Sequence, residues 1–391
     1  MKRLSFMRTY EKNINIVINS IIFSVFLNVK IFTVILRVEN IIPMILLSSL
    51  LVAFVVNGFS LLTHNRVKCK VMYYLLFVLT LLWLFSSNET ADLYYMSAII
   101  FGMPAMMISN TKISYYWVTT FTLILGLILF RFIDVFSWIM ESDAGEKMYN
   151  SYLILSFILF SVVGIYIYNK HKVVVVLSIL NLVIYVPILL AIGVRGVYMS
   201  IALFFFLIVL NTSFFARNKK SLLLIVLLLV ITLFSIDWFE LIENLRLWLA
   251  DYDIEVYALE KYFMMFSNDD VSNGRFQLYS NAIFGFFSSP VWGNGLGVFE
   301  QMNEGLYVHN IFLEVLYEGG ILLSIVFVYS FARFSKLVYR SMDINREYYT
   351  FVILLFSLGC SILLFSNTLW RVVAFWLFFG VTFDKFKYIE K

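Results

Sequence analysis

Between Lys172 and Arg195 the chain reads VVVVLSILNLVIYVPILLAIGV, without one Asp, Glu, Lys or Arg. An apolar run of about 20 residues is what a helix needs to cross the hydrocarbon core of a bilayer. Comparable runs recur along almost the whole sequence, and that recurrence constrains the fold more than any other feature. A soluble domain of 391 residues that is 62% hydrophobic and 14% charged, with 41 Phe and 24 Tyr, could not hide its apolar surface. The alternating segments of about ten residues that a membrane β-barrel requires are absent. The expected fold is therefore all-α, a polytopic integral membrane protein with residues 1–391 in a single membrane domain.

Twelve spans are predicted, near 14–36, 41–62, 71–86, 93–109, 113–138, 150–168, 173–190, 197–215, 221–236, 308–333, 349–366 and 368–383. With the N-terminus assigned to the cytoplasm, 20 of the 29 Lys and Arg fall on the inner side. Only Glu11, Asp343, Glu347, Asp384 and Glu390 join them there. Basic residues are retained in the cytoplasm during insertion, so the pattern predicts both termini inside. The basic N-terminal stretch MKRLSFMRTYEK lacks a small-residue cleavage site and reads as a retained first helix with a cytoplasmic tail. Cys69 and Cys360 lie in a basic loop and an apolar run, which implies neither a disulfide nor a Cys metal site. Pro187 is the one proline read as lying well within a span.

Every predicted connection is short except 237–307, on the outer (periplasmic) side. An outer loop of that length is more often functional than passive. Its segment WFELIENLRLWLA places Trp238, Leu241, Leu245 and Trp248 on one stripe, as an amphipathic surface helix would. A further short helix is expected over 256–266.

The loop ends in GNGLG and leads to VHNIFLEVLYEGG. Gly293, Gly295 and Gly297 do not form a dinucleotide fingerprint, because Val298 stands where the third glycine is required, and no P-loop lysine follows. They read instead as a tight turn where the chain re-enters the membrane. Asp251-Tyr252-Asp253 and Asp269-Asp270 lie in a loop with eleven acidic residues, where a solvated face is the expected role. No metal site and no cofactor are predicted. Arg246 reads as a surface charge, and Arg371, Arg37 and Arg131 as interfacial anchors.

Three residues carry the candidate chemistry. Of the three histidines, His64 and His171 belong to cytoplasmic loops, and His309 alone is placed outside. Topology sets Arg195 and Arg275 on that same side. Glu314 and Glu318 are expected on the helix face opposite His309. Arginine forks neutralise phosphate oxygens bidentately, and a neutral imidazole takes a proton from an attacking hydroxyl. Those are the needs of glycan transfer from a lipid diphosphate.

The chain resembles the bacterial O-antigen polymerase and O-antigen ligase family. The motifs that carry the resemblance are Arg195-Gly196, Gly274-Arg275, Pro290 with Gly293, Gly295 and Gly297, and His309-Asn310 followed by Gly320. Leu323 stands where the ligase branch carries Thr, which favours the polymerase branch. The resemblance implies an inverting, metal-independent transfer of the growing glycan from undecaprenyl diphosphate to the non-reducing-end sugar of another lipid-linked repeat unit. His309 would be general base, Arg195 and Arg275 would stabilise the leaving diphosphate, and Asn310 and Gly320 would bind substrate. It also implies the inner membrane as location, a periplasmic active site, a chain-length regulator as partner and no nucleic acid. The alternatives are a ligase that transfers glycan to lipid A-core and a flippase for the lipid-linked repeat.

Overall fold

The computed structural model describes residues 2–38, 41–58, 61, 65–86, 88–135, 144–192, 194–210, 243, 247, 275–339, 346–365 and 367–383. The predicted span at 221–236, the helix at 238–250 apart from residues 243 and 247, the helix at 256–266, and the Asp pairs at 251–253 and 269–270 lie outside them.

Among the described residues the chain is all-helical, with no strand. The helices are α1 (Lys2–Leu27), α2 (Lys30–Leu36), α3 (Ile41–Asn57), α4 (Arg66–Phe85), α5 (Glu89–Ile108) and α6 (Tyr115–Phe132). They continue with α7 (Ala144–Ile167), α8 (Lys172–Ile192), α9 (Arg195–Leu210), α10 (Arg275–Ser288) and α11 (Val298–Met302). The last are α12 (Ile311–Tyr339), α13 (Arg346–Phe365) and α14 (Val373–Thr382). By length and composition seven of these could cross a membrane, and an eighth if α1 and α2 are one bent span. Residues 41–57, 196–209 and 373–382 form shorter apolar helices.

Burial separates centre from rim. In the apolar windows of α7 and α13, 78% of residues are buried, against 28% in α4 and α8. On α8 the outward stripe is Val173, Val176, Ile179, Leu180 and Val183, all exposed. Such a stripe of aliphatic residues is stable against lipid tails and not against water. The all-helical fold with its long apolar helices is that of a membrane-embedded protein. The helices are tied by short polar side chains. Asn28 accepts from Ser156 Oγ at 2.6 Å, Tyr185 donates to the Gly126 carbonyl at 2.6 Å, and Ser330 and Thr382 share a bond of 2.8 Å. In a bilayer such pairs contribute about 0.6–2 kcal/mol each, a modest amount because the helices find other partners when apart.

Two breaks depart from the predicted straight spans. The first span bends by 74° between Leu27 and Lys30, where Asn28 turns its amide onto the Ser24 carbonyl at 3.0 Å. In α5 a π-turn over Ala98–Gly102 leads into Pro104 in the first turn that follows. Proline has no N–H to continue the ladder, and a π-turn accommodates the lost bond. Pro187 is thus not the only proline inside a span.

Side-chain bonds sort the connections into two ends of the bundle. At one end Asn65 donates to the Phe383 carbonyl (2.8 Å), Asn110 to that of Leu61 (3.0 Å) and Lys68 to Ser109 (2.9 Å). At the other, Asn88 donates to the Leu296 carbonyl (3.0 Å), the Leu296 N–H to Ser86 (2.8 Å) and Lys30 to Asn150 (2.9 Å). His309 belongs to this second end, and the helix it precedes runs towards the first.

Candidate functional site

Helix α12 is interrupted near its start. Gly320 has φ 57 and ψ −152, so the helix breaks there and its neighbours lose their intrahelical partners. The glycine turn replaces them. Asn294 N–H donates to the Tyr317 carbonyl (2.8 Å) and Gly295 N–H to that of Glu318 (3.0 Å). The Ile321 and Leu322 N–H groups donate to the carbonyls of Pro290 (2.9 Å) and Val291 (3.3 Å). Irregular backbone at membrane depth persists only when other protein groups satisfy it, and this strap does so. Gly293, Gly295 and Gly297 all have positive φ (75°, 101° and 65°), as the tight turn requires.

Two acids of the helical piece before the break are buried in the interior. Glu314 accepts from Thr368 Oγ1 at 2.6 Å and from the Leu369 N–H at 3.1 Å. Glu318 accepts from the Gly297 N–H at 3.0 Å and from Trp370 Nε1 at 2.8 Å. Both are buried, facing the 368–370 segment and not the imidazole. They therefore clamp the turn between α13 and α14, which carries Arg371. A third acid, Glu300 on α11, is buried and accepts from Tyr94 Oη at 2.7 Å. Burial pushes its carboxyl above the usual range, opposed by the Tyr94 bond and the charge of Arg371. Glu300 is one of the eleven acids of 237–307, and the glycine turn folds it against Tyr94 of α5.

His309 sits between the loop and the cap of α12. Its φ is 57°, a left-handed conformation that non-glycine residues adopt at a cost of about 1–3 kcal/mol and that clusters at functional sites. The imidazole lies against the Tyr307 ring, with centroids 4.0 Å apart. Its Nδ1 is buried without a hydrogen-bond partner among the described residues. Burial, and then the charge of Arg275, pushes its pKa down from 6.5 to about 4. Arg275, first residue of α10, also acts electrostatically on Tyr307, as does Arg371. α10 reaches His309 through a small apolar cluster of Leu278, Ala282, Phe299, Val308 and Tyr317.

Around His309 the structure places Tyr307 against the imidazole, and the charge of Arg275 acts on both rings. The backbone of Arg195 opens α9, and its side chain lies outside the described residues. Asn310 caps α12, its Oδ1 accepting from the N–H groups of Phe312 (3.0 Å) and Leu313 (3.3 Å). Gly320 packs against the backbone of Pro290, Val291 and Gly293. Arg371 is exposed, and its guanidinium lies over the Tyr94 ring at 5.8 Å. Among the described residues no three His, Cys, Asp or Glu side chains group as a metal site would require.

No protein-family model matches the chain, and no curated protein or solved structure matches it either. The resemblance to O-antigen polymerases and ligases rests on the motif residues themselves.

Proposed function

We propose that the protein is a polysaccharide repeat-unit polymerase of the bacterial inner membrane. It crosses the membrane twelve times with both termini in the cytoplasm. The observation that carries this reading is His309, a neutral imidazole with an orphaned buried nitrogen, beside the charge of Arg275. The end of the bundle opposite His309 holds Arg66, Lys70, Lys112 and Arg333 in its connections and helix ends, which favours a periplasmic His309.

In the proposed reaction the non-reducing-end hydroxyl of a lipid-linked repeat unit attacks the anomeric carbon of the growing glycan. His309 takes the hydroxyl proton as the new C–O bond forms. The bond from the anomeric carbon to the phosphate oxygen breaks, and its electron pair leaves on undecaprenyl diphosphate. Arg275 and Arg195 neutralise that charge, and attack opposite the leaving group inverts the anomeric centre. Transfer to lipid A-core by the same groups is the ligase alternative.

A transporter for the lipid-linked repeat is favoured by one observation, the fully buried Glu314 and Glu318 in α12. Their bonds to Thr368, Leu369, Gly297 and Trp370 give them a holding role that needs no transport. Deletion of the gene separates the three. Loss of a polymerase leaves single repeat units on the core, loss of a ligase leaves none, and loss of a transporter strands the precursor inside. Unchanged long chains in the deletion strain would end the polymerase reading.

The lowered His309 pKa sets the pH dependence. Between pH 6.5 and about 4 the folded imidazole stays neutral while an unfolded one binds a proton, so this group's contribution to stability falls as pH drops through that window. Protonation also removes the base. The acid limb of kcat/KM, which reports the free enzyme, is expected near pH 4 and not near 6.5. Arg275→Ala moves that limb upward, because one of the two causes of the depression is gone. A wild-type limb at 6.5 would contradict the assignment.

A further inference from the structure

A cavity next to this site holds chemistry that the transfer itself does not use. It lies between the α1–α2 bend, the start of α7 and the α13–α14 connection, has a volume of about 90 Å³ and is open to solvent. Lys30 and Arg371 both line it, with Asn28, Asn367 and Tyr149. Leu153, Leu358 and Ile362 line it further along their helices, away from the connections.

Each cation is held in place. Lys30 Nζ donates to Asn150 Oδ1 at 2.9 Å and sits 3.2 Å from the centroid of the Tyr149 ring. Arg371 is carried by the segment that Glu314 and Glu318 clamp, and its guanidinium forms no hydrogen bond or ion pair among the described residues. The connection it sits in also holds Asn367 at φ 107°, a strained backbone that its surroundings must enforce. Arg371 lines the cavity and also lies over the Tyr94 ring at 5.8 Å, so the cavity adjoins the Glu300–Tyr94 pair. Two fixed cations and two side-chain amides over an apolar wall match a phosphoryl group attached to a hydrocarbon chain.

We infer that this cavity is a phosphate-binding site for an amphiphile of the prenyl-phosphate type, with Lys30 and Arg371 on the phosphoryl oxygens and the chain against Leu153, Leu358 and Ile362. As a second lipid-phosphate site it deepens the polymerase reading, on which the choice of a prenyl chain rests. A polymerase must hold two lipid-linked substrates at once, and Arg195 and Arg275 are assigned to only one.

Binding to the full-length protein in neutral-lipid nanodiscs tests it, with farnesyl diphosphate and inorganic diphosphate as probes. Arg371→Gln, at an exposed residue whose side chain forms no hydrogen bond among the described residues, is the deciding variant. Lys30→Gln and the charge-preserving Lys30→Arg accompany it, and Arg275→Gln reports the other site. Farnesyl diphosphate is expected to bind at least tenfold more weakly to Arg371→Gln and Lys30→Gln, with Lys30→Arg near wild type. Tighter binding of farnesyl than inorganic diphosphate assigns the site to a lipid; equal binding with the same variant dependence assigns it to free phosphate. If only Arg275→Gln weakens binding, the cavity proposal falls and the polymerase reading stands. Weakening by Arg371→Gln without activity in a transfer assay keeps the cavity and removes the reading it rests on.

Discussion

His309→Ala is expected to lower glycan transfer by about 10²–10⁴-fold while the protein still inserts and accumulates normally. The size follows from what the imidazole supplies. It is neutral across the working pH range, it is half-buried, and its free nitrogen has no donor to compete with a substrate hydroxyl. Truncation removes one ring packed on Tyr307 and no hydrogen bond, so the structural penalty is small beside the chemical one. Arg275→Ala is expected to cost about 10²–10³-fold, as for removal of one donor aimed at developing charge. Transfer assays on membranes matched for protein amount read both effects. Full activity of either variant removes that residue from the mechanism.

Gly320→Ala is expected to be strongly destabilising. An added Cβ would meet the Gly293 nitrogen at 2.6 Å, the Val291 oxygen at 2.6 Å and the Pro290 oxygen at 2.7 Å. All three are backbone atoms of the strap and cannot rotate aside: the two carbonyls accept from α12, and the Gly293 N–H donates to the Ser289 carbonyl. The φ of 57 with ψ −152 is also a conformation that only glycine adopts without strain. Together these cost about 3 kcal/mol or more. Gly305→Ala is the control, because its φ is also positive (83°) but nothing lies within 4 Å of the new methyl. It should cost about 1 kcal/mol. Thermal unfolding in detergent reads the difference, and equal midpoints for the two variants would show that the strap does not hold the helix break.

The helices were legible in the sequence because lipid demands long apolar runs, and a run such as 173–192 has no other stable use. The bend at Asn28 and the π-turn before Pro104 were not, since each depends on where neighbouring helices supply polar partners. That the charge of Arg275 reaches His309 follows from tertiary structure, since 34 residues separate them. Nor could the role of Glu314 and Glu318 be anticipated. Their spacing placed them away from His309, but what they face, Thr368 and Trp370, is more than 50 residues further on and is brought there by α13. Glu300 was hidden among ten other acids of its loop, and only the fold of the glycine turn singles it out. Arg371 beside Trp370 read as an interfacial anchor; its clamped segment and its place on the Lys30 cavity are tertiary facts. GNGLG read correctly as a turn, yet its second task, repairing the broken helix, needs the partner backbone at 317–322.

The central claim is tested most directly by the purified protein in liposomes, given a polyprenyl-diphosphate-linked oligosaccharide and followed by mass spectrometry. The account predicts lipid-linked glycans of two and more repeat units, free polyprenyl diphosphate in equal number to the new linkages, and neither product from His309→Ala. Oligosaccharide that crosses the bilayer with its length unchanged, or elongation that persists in His309→Ala, would contradict it.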